Sequence, residues 1–351
     1  MDDAAENAAD NLSPGWDAIT EAFDHLYPGR EPRHFGPLIR YSLGGPDPLD
    51  GLSAWKRLEP VPHWHIVTYG LSELYAKESD DPEVSGYGFE LTFRPTCDPA
   101  EEEPPVWALN FLQNLARYVF QTGNVFRDGD WMPINGPLSQ ESDTALRSIA
   151  FTADPELPAL ETPSGAVAFL QVVGLTEDEE RAAKQWKTSR LLDAFRPKLP
   201  LLVTDLGRTS LLADPVMSQQ VEDGTIRDGS STGYLLTDIL RWTGRKRLLR
   251  APDYHIILGP RQVDEFTRLL PLRLPFDRPL LLVGEGGDGQ SRVLFEPGER
   301  DAVVEADDKL VVRLTPATAR ALGETLKPHA GDYAVPGLPI SFTIELAAIA
   351  A

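Results

Sequence analysis

His63-Trp64-His65-Ile66-Val67-Thr68-Tyr69 and, beyond an acidic loop from Glu78 to Glu83, Tyr87-Gly88-Phe89-Glu90-Leu91-Thr92-Phe93-Arg94 decide the fold class. The first stretch is rich in aromatic and β-branched residues. In the second, Phe89, Leu91 and Phe93 point one way and Glu90, Thr92 and Arg94 the other, which predicts a half-buried strand. Helical patterns flank both. Ser13 and Pro14 read as an N-cap and first helical residue, Trp16, Ile19, Phe23 and Leu26 follow at helical spacing, and Pro28-Gly29 ends the run. Pro104-Pro105 opens a second helix to about Gln121, with Trp107, Leu112, Leu115, Tyr118 and Val119 as its apolar stripe. Strands and helices mix without a regular βαβ alternation, so the class is α+β.

Working outward, Leu38–Leu43 is a short strand candidate before the Gly44-to-Pro48 turn. Val167–Val173 predicts a strand. Thr176 and Glu179 form a capping-box pattern heading a helix with Ala183, Trp186 and Leu191. Leu201–Asp205 predicts another short strand. Residues 207–250 are rich in Gly, Asp, Ser and Arg and read as a connector with one short helix near Leu235–Trp242. Beyond it, strands are expected at Tyr254–Leu258, Leu280–Val283, Val293–Phe295, Leu310–Leu314 and Ile340–Leu346, and Thr315-Pro316 starts a helix. A chain of 351 residues exceeds one ordinary core. The expected organisation is an acidic tail over 1–12, an N-terminal domain over 13–206, the connector, and a smaller α+β domain over 251–351. Each domain is expected to carry a mixed or antiparallel sheet with packed helices.

Asp and Glu number 54 against 33 Lys and Arg, a formal net charge of -21. Such a surface repels phosphate backbones and anionic lipid, so nucleic-acid and membrane binding are not expected, whereas a basic protein partner is attracted. Cys97 is the one cysteine, which excludes an intramolecular disulfide and a four-thiolate zinc site. The opening MDDAAENAADNLSPG has no basic region followed by an apolar run, so no signal peptide is expected and the location expected is the cytoplasm.

Catalytic patterns are sparse. Gly229-Ser230-Ser231-Thr232-Gly233 matches G-x-S-x-G, but polar Glu222–Asp228 precedes it where a nucleophile elbow needs a buried strand. His63 and His65 share one strand face, a spacing open to a metal or to a packed, hydrogen-bonded pair. Gly284–Gly289 lacks the Gly-Lys-Ser/Thr ending of a phosphate loop and reads as a hairpin loop. Gly244–Arg250 is the one basic cluster and reads as solvated connector. The residues describe a non-enzyme without metal or cofactor. The alternative is a hydrolase or metal-dependent enzyme using His63/His65 or Ser231.

Longer blocks carry more. YSLGGPDPLDG (Tyr41–Gly51), HWHIVTYGLSELY (His63–Tyr75), GYGFELTFR (Gly86–Arg94), LARYVFQTGNVF (Leu115–Phe126), FLQVVGLTEDE (Phe169–Glu179) and LLVTDL (Leu201–Leu206) resemble, in order and spacing, the Suppressor of fused family, here as a bacterial member. The resemblance implies a two-domain, non-catalytic protein with a cleft between the domains. Animal members restrain Hedgehog signalling by holding an extended segment of Gli-type factors there as an added strand. Bacterial relatives have been proposed as immunity proteins that neutralise toxins. The implied partner-binding residues are Tyr118, Phe126, Asp130 and Asp154, with Asp130 at a position that engages a histidine of the bound segment. Asn135 stands where animal proteins have histidine and Ala153 where they have glutamate, so the expected ligand is a different basic or histidine-bearing segment, such as part of a toxin. The long Ser-rich insertion of the animal second domain is missing, and regulation by its phosphorylation is not expected.

Overall fold

A computed structural model describes residues 13–39, 41, 44–247, 250–284 and 291–346. The fold is α+β. Contacts divide the chain into two units: Ala182–Lys187 with Gln219 onward form the second, and the chain up to Ser218 otherwise forms the first.

The first unit is one sheet between two helices. Its strands are β1 (Arg33–Phe35), β2 (Gly51–Arg57), β3 (His63–Tyr69), β4 (Val84–Phe93), β5 (Trp131–Pro133), β6 (Leu146–Ala153), β7 (Leu160–Thr162) and β8 (Gly165–Thr176). They run in the order β1-β2-β3-β4-β8-β6-β5, with β7 also on β8. β4 and β8 are parallel and the other pairs antiparallel. Helix α1 (Pro14–Leu26) lays Ile19 and Phe23 on one face with Trp55, Val67, Tyr69 and Phe169. Helix α2 (Val106–Thr122) lays Ala108, Leu112, Ala116 and Val119 on the other with Ile66, Leu91, Phe93 and Val172.

With a helix on each face, the central strands have no wet side. This corrects the reading of β4 as half-buried: Glu90, Thr92 and the adjoining Arg94 are all 0% exposed. Their alternation separates an apolar interior from a polar, hydrogen-bonded one. Leu201–Asp205 is not a strand either. Pro200–Leu202 is a 3₁₀ turn, and Thr204 makes a single bridge to Pro95. Of the strand expected over Leu38–Leu43, Leu38, Ile39 and Tyr41 are not in a strand; 40, 42 and 43 lie outside the described residues, as does the 1–12 tail.

The helix expected after Thr176 is two, α3 (Glu177–Gln185) and α4 (Thr188–Phe195). Half of the capping box forms: Thr176 N donates to Glu179 Oε2 at 3.0 Å, while Thr176 Oγ1 turns to Asp178. Helix α5 (Pro215–Asp228) follows inside the stretch read as connector. Leu235–Trp242 is not helical. It gives β9 (Tyr234–Thr237) and the start of β10 (Leu240–Arg247), because Leu235, Leu240 and Trp242 are claimed by the core of the second unit.

The second unit continues with β11 (Arg250–Leu258), α6 (Pro260–Leu269), β12 (Leu280–Gly284), β13 (Arg292–Pro297), β14 (Ala302–Ala306), β15 (Lys309–Leu314), α7 (Pro316–Thr325), β16 (Gly331–Ala334) and β17 (Ile340–Ile344). Two mixed sheets, β10-β11-β17-β16 and β14-β15-β13-β12-β9, share its core. The five strands expected here are present, and Thr315 Oγ1 caps α7 by accepting from Thr318 N at 3.2 Å. β12 and β13 pair antiparallel, as a hairpin needs, but 285–290 lie outside the described residues. Among the described residues no helix is long and apolar enough to cross a membrane.

Candidate partner-binding site

Three of the four residues carried over from the resemblance, Tyr118, Phe126 and Asp130, lie around the edge of the first sheet that ends on β5. Gly129, at φ 90°, takes the left-handed conformation that closes the Asp128–Asp130 turn. The turn is stitched to β6: Gly129 N donates to Phe151 O and Phe151 N to Asp130 O, both at 2.9 Å. Asp128 Oδ1 accepts from Ala153 N at 3.2 Å, and Asp130 Oδ2 from Arg127 N at 2.8 Å. Both aspartates remain exposed. The backbone is thus fixed, while Asp130 has only a neighbouring N–H on its carboxylate and no cation within ion-pair distance among the described residues.

Tyr118 and Phe126 form an aromatic ladder leading inward. The Tyr118 ring is 5.8 Å from that of Phe126 at 10°, and Phe126 is 4.0 Å from Phe151 at 16°. Phe151 is fully buried and Phe126 nearly so, whereas Tyr118 is half-buried and its hydroxyl accepts from Asn124 Nδ2 at 2.7 Å. Tyr118 is the solvent-facing rung, and Phe126 is the support beneath it.

Asp154 is a different kind of residue. It is 6% exposed, and both carboxylate oxygens are committed inward. Arg94 Nη1 donates to Oδ2 at 2.6 Å and Nη2 to Oδ1 at 3.0 Å, Thr92 Oγ1 donates to Oδ2 at 2.6 Å, and Glu156 N and Leu157 N donate to Oδ1 at 2.9 and 3.2 Å. His65 Nε2 faces Oδ2 at 3.3 Å without the alignment of a hydrogen bond. Arg94 and Tyr27 Oη lie 3.4 and 2.8 Å from His65 Nδ1. Because a guanidinium only donates and an ionised carboxylate only accepts, Nδ1 is the acceptor and Nε2 carries the proton. Burial pushes Asp154 upward, but contact with His65 and the Arg94 charge outweigh it and hold the carboxyl well below its usual range. Burial, then Arg94, lowers His65 to about 4, so the cation that keeps Asp154 ionised at neutral pH is Arg94.

Glu156 extends the cluster by accepting from Arg57 at 2.6 and 2.7 Å and from Arg94 at 3.2 Å. Gln171 bonds Arg94 and donates to Leu201 O and Leu202 O at 2.8 and 3.0 Å, holding two residues with φ of 53° and 54°. The loop after β6 borders an open groove of 410 Å³ lined by Ala153–Ala159, Ala168 and Phe169.

The resemblance assigns a site role to Asp154 but to none of Arg57, Arg94, Glu156 and Gln171. The available signal was three polar residues in a row on one face of β4, which buried strands carry only when each has a partner.

The catalytic alternatives are engaged otherwise. His63 and His65 are both 0% exposed; His63 Nδ1 lies 2.7 Å from Val61 O, and burial lowers His63 to about 4. Ser231 follows a helix, not a strand, and its Oγ donates to Trp186 O at 3.3 Å. Among the described residues no group of three His, Cys, Asp or Glu is arranged to hold a metal ion.

Residues 45–209 match the family described as Suppressor of fused protein (SUFU). The Homo sapiens and Mus musculus Suppressor of fused homologs are each 37% identical over 236 residues, covering 62% of this chain and 48% of theirs. The chain thus spans about half the length of the curated relatives it matches. The crystal structure of Drosophila Suppressor of Fused superposes with a TM-score of 0.83 at 22% identity, covering 97% of this chain and 98% of that one, which speaks to the fold. The crystal structure of the Sufu-Fu complex gives a TM-score of 0.55 at 32% identity over 59% of this chain and 97% of that one. Through residues 45–209 the chain belongs to the Suppressor of fused family.

Proposed function

We propose that this chain is a non-catalytic protein-binding module, a bacterial member of its family acting in the cytoplasm. It sequesters a partner by taking an extended basic or histidine-bearing segment along the β5 edge of the first unit. The observation that carries the reading is Asp130: an exposed carboxylate on a turn rigidly stitched to the sheet, with no cation in ion-pair contact among the described residues. Tyr118 supplies an aromatic face beside it. Phe126 props Tyr118, and Asp154 secures the end of β6 from which the turn hangs. The partner is a toxin in the immunity version of this reading and a regulator in the other. A relative's complex with Fu supports complex formation as the family's trade.

The test is affinity recovery from native lysate against a charge-matched control, then calorimetric titration of the recovered partner. Asp130→Asn is expected to leave the melt within about 0.5 kcal/mol of wild type, as surface substitutions do. Binding should weaken by roughly 2–5 kcal/mol, the usual cost of removing one side of a desolvated charged contact. If a protonated histidine is the counterpart, wild-type affinity falls as pH rises through its titration, and Asp130→Asn blunts that fall. Unchanged affinity with an unchanged melt removes Asp130 from the site, and a collapsed melt makes it structural.

A further inference from the structure

Two arginines are buried among the described residues, Arg94 and Arg273, and they are treated oppositely. Arg94 has two carboxylates, Asp154 and Glu156. Arg273, 6% exposed, has none: Nε donates to Pro279 O at 2.8 Å and Nη1 to Ser230 O at 3.0 Å. Its neighbour is another cation. Arg278 Nη1 donates to the same Ser230 oxygen at 3.0 Å and to Asp228 O at 2.9 Å. The two guanidiniums therefore sit within two hydrogen-bond lengths of each other with no carboxylate in ion-pair contact among the described residues. The nearby Asp228 carboxylate is taken by Arg227 and Trp186. Burial and the Arg278 charge push Arg273 down to about 10.

A staple for the 228–230 backbone needs one guanidinium. A second cation against the same carbonyl adds repulsion that, in a chain with 54 acidic residues, any nearby Asp or Glu could have relieved. The corner is also reachable. Arg278, Thr232 and Gly233 are half-buried, Ser231 is exposed, and Arg273 Nη2 points at Gly233, where a side chain would begin 3.5 Å away. Among the described residues, Arg273 Nη2 and the Nε and Nη2 of Arg278 donate to no protein acceptor. We propose that this corner of the second unit, framed by Arg273, Arg278 and the Gly229–Gly233 loop, binds a phosphoryl oxyanion. Phosphoryl matches on charge, since a group carrying close to two negative charges neutralises two guanidiniums where one carboxylate leaves an excess. It also absorbs the Gly229-Ser230-Ser231-Thr232-Gly233 pattern, as the wall of an anion site in place of a nucleophile elbow. The site is independent of Asp130 and stands or falls separately.

The experiment is calorimetric titration of the full chain with inorganic phosphate at constant ionic strength against chloride. Parallel titrations use a short phosphoserine peptide and its unphosphorylated form, with thermal melts throughout. Saturable one-to-one binding of phosphate or phosphopeptide is expected, weakened about tenfold or more in Arg278→Gln, the loss typical of one charge-assisted hydrogen bond. The ligand-free melt of that rim variant should be near wild type; buried Arg273→Gln serves as a second variant where it folds. Phosphopeptide binding tighter than inorganic phosphate assigns the anion to a phosphorylated protein segment, equal affinity assigns it to the free ion, and either upholds the site. No saturable binding of either, or binding indifferent to Arg278→Gln, overturns it.

Discussion

Two buried carboxylates in the first unit show how partners decide the state of a charge. Asp154 has a guanidinium against both oxygens. Asp154→Asn is expected to cost about 3–5 kcal/mol in denaturant melts, because it leaves Arg94 buried and under-compensated. Combining it with Arg94→Met should recover part of that loss, and simple additivity of the two would refute the coupling. Glu90 is also buried but has no cation in ion-pair contact among the described residues. It accepts from Thr68 Oγ1, Gly70 N, Ser72 N and Ser72 Oγ, at 2.6 to 3.0 Å. Burial outweighs these bonds and raises it to about 7. The folded state then holds a proton that the unfolded chain has released. The Glu90 contribution is full below the unfolded carboxyl pKa of about 4.5 and is lost as pH rises through about 7, roughly 3 kcal/mol in all. Glu90→Gln should abolish that slope in melts between pH 5 and 8.5. Parallel wild-type and variant curves would show that Glu90 is ionised throughout.

At the scale of elements, packing overrides intrinsic preference in α5. Gly224 lies mid-helix, where alanine is ordinarily favoured by about 1 kcal/mol. Here the backbone rests on the Trp186 indole, and a Cβ would fall 2.3 Å from Cζ2 and 2.6 Å from Cη2. Trp186 cannot step aside cheaply, since its Nε1 donates to Asp228 Oδ2 at 3.0 Å. Gly224→Ala is therefore expected to destabilise by roughly 1–3 kcal/mol, as overpacking does. Thermal melts decide the sign, and a stabilised variant would mean that helix propensity wins.

For the whole molecule, net charge sets the response to salt. A charge of -21 repels itself in any compact state. Raising NaCl from about 20 to about 200 mM shortens the screening length from roughly 20 Å to below 10 Å. It is expected to raise the melting temperature by roughly 2–4 °C, the equivalent of about 1 kcal/mol in a chain this size. A flat or falling response would mean that local ion pairs such as Arg94–Asp154 and Arg208–Glu179 matter more than the global field.

The sequence by itself determined the α+β class, the helices at Pro14–Leu26 and Val106–Thr122, the cap at Thr315 and five strands of the second unit, though not β9, β10, β14 or β16. Each rests on periodicity, proline placement or β-branched runs, which act over a few neighbouring residues. It did not determine which faces are wet. Glu90, Thr92 and Arg94 read as a solvent face until the 70–72 stretch and the 154–156 loop close over it, and covering is a long-range event. Leu235–Trp242 read as a short helix within a connector, and only the pairing of β9 with β12 and of β10 with β11 made it strands. At the candidate site, matching blocks of sequence placed Tyr118, Phe126, Asp130 and Asp154 as equals. Tertiary structure sorted them: Asp154 is held by residues from 62 positions before it to three after it, while Asp130 is held only by its own turn and the end of β6. Whether a carboxylate is spent inside the fold or left for a partner depends on what lies opposite it, and local sequence carries no record of that.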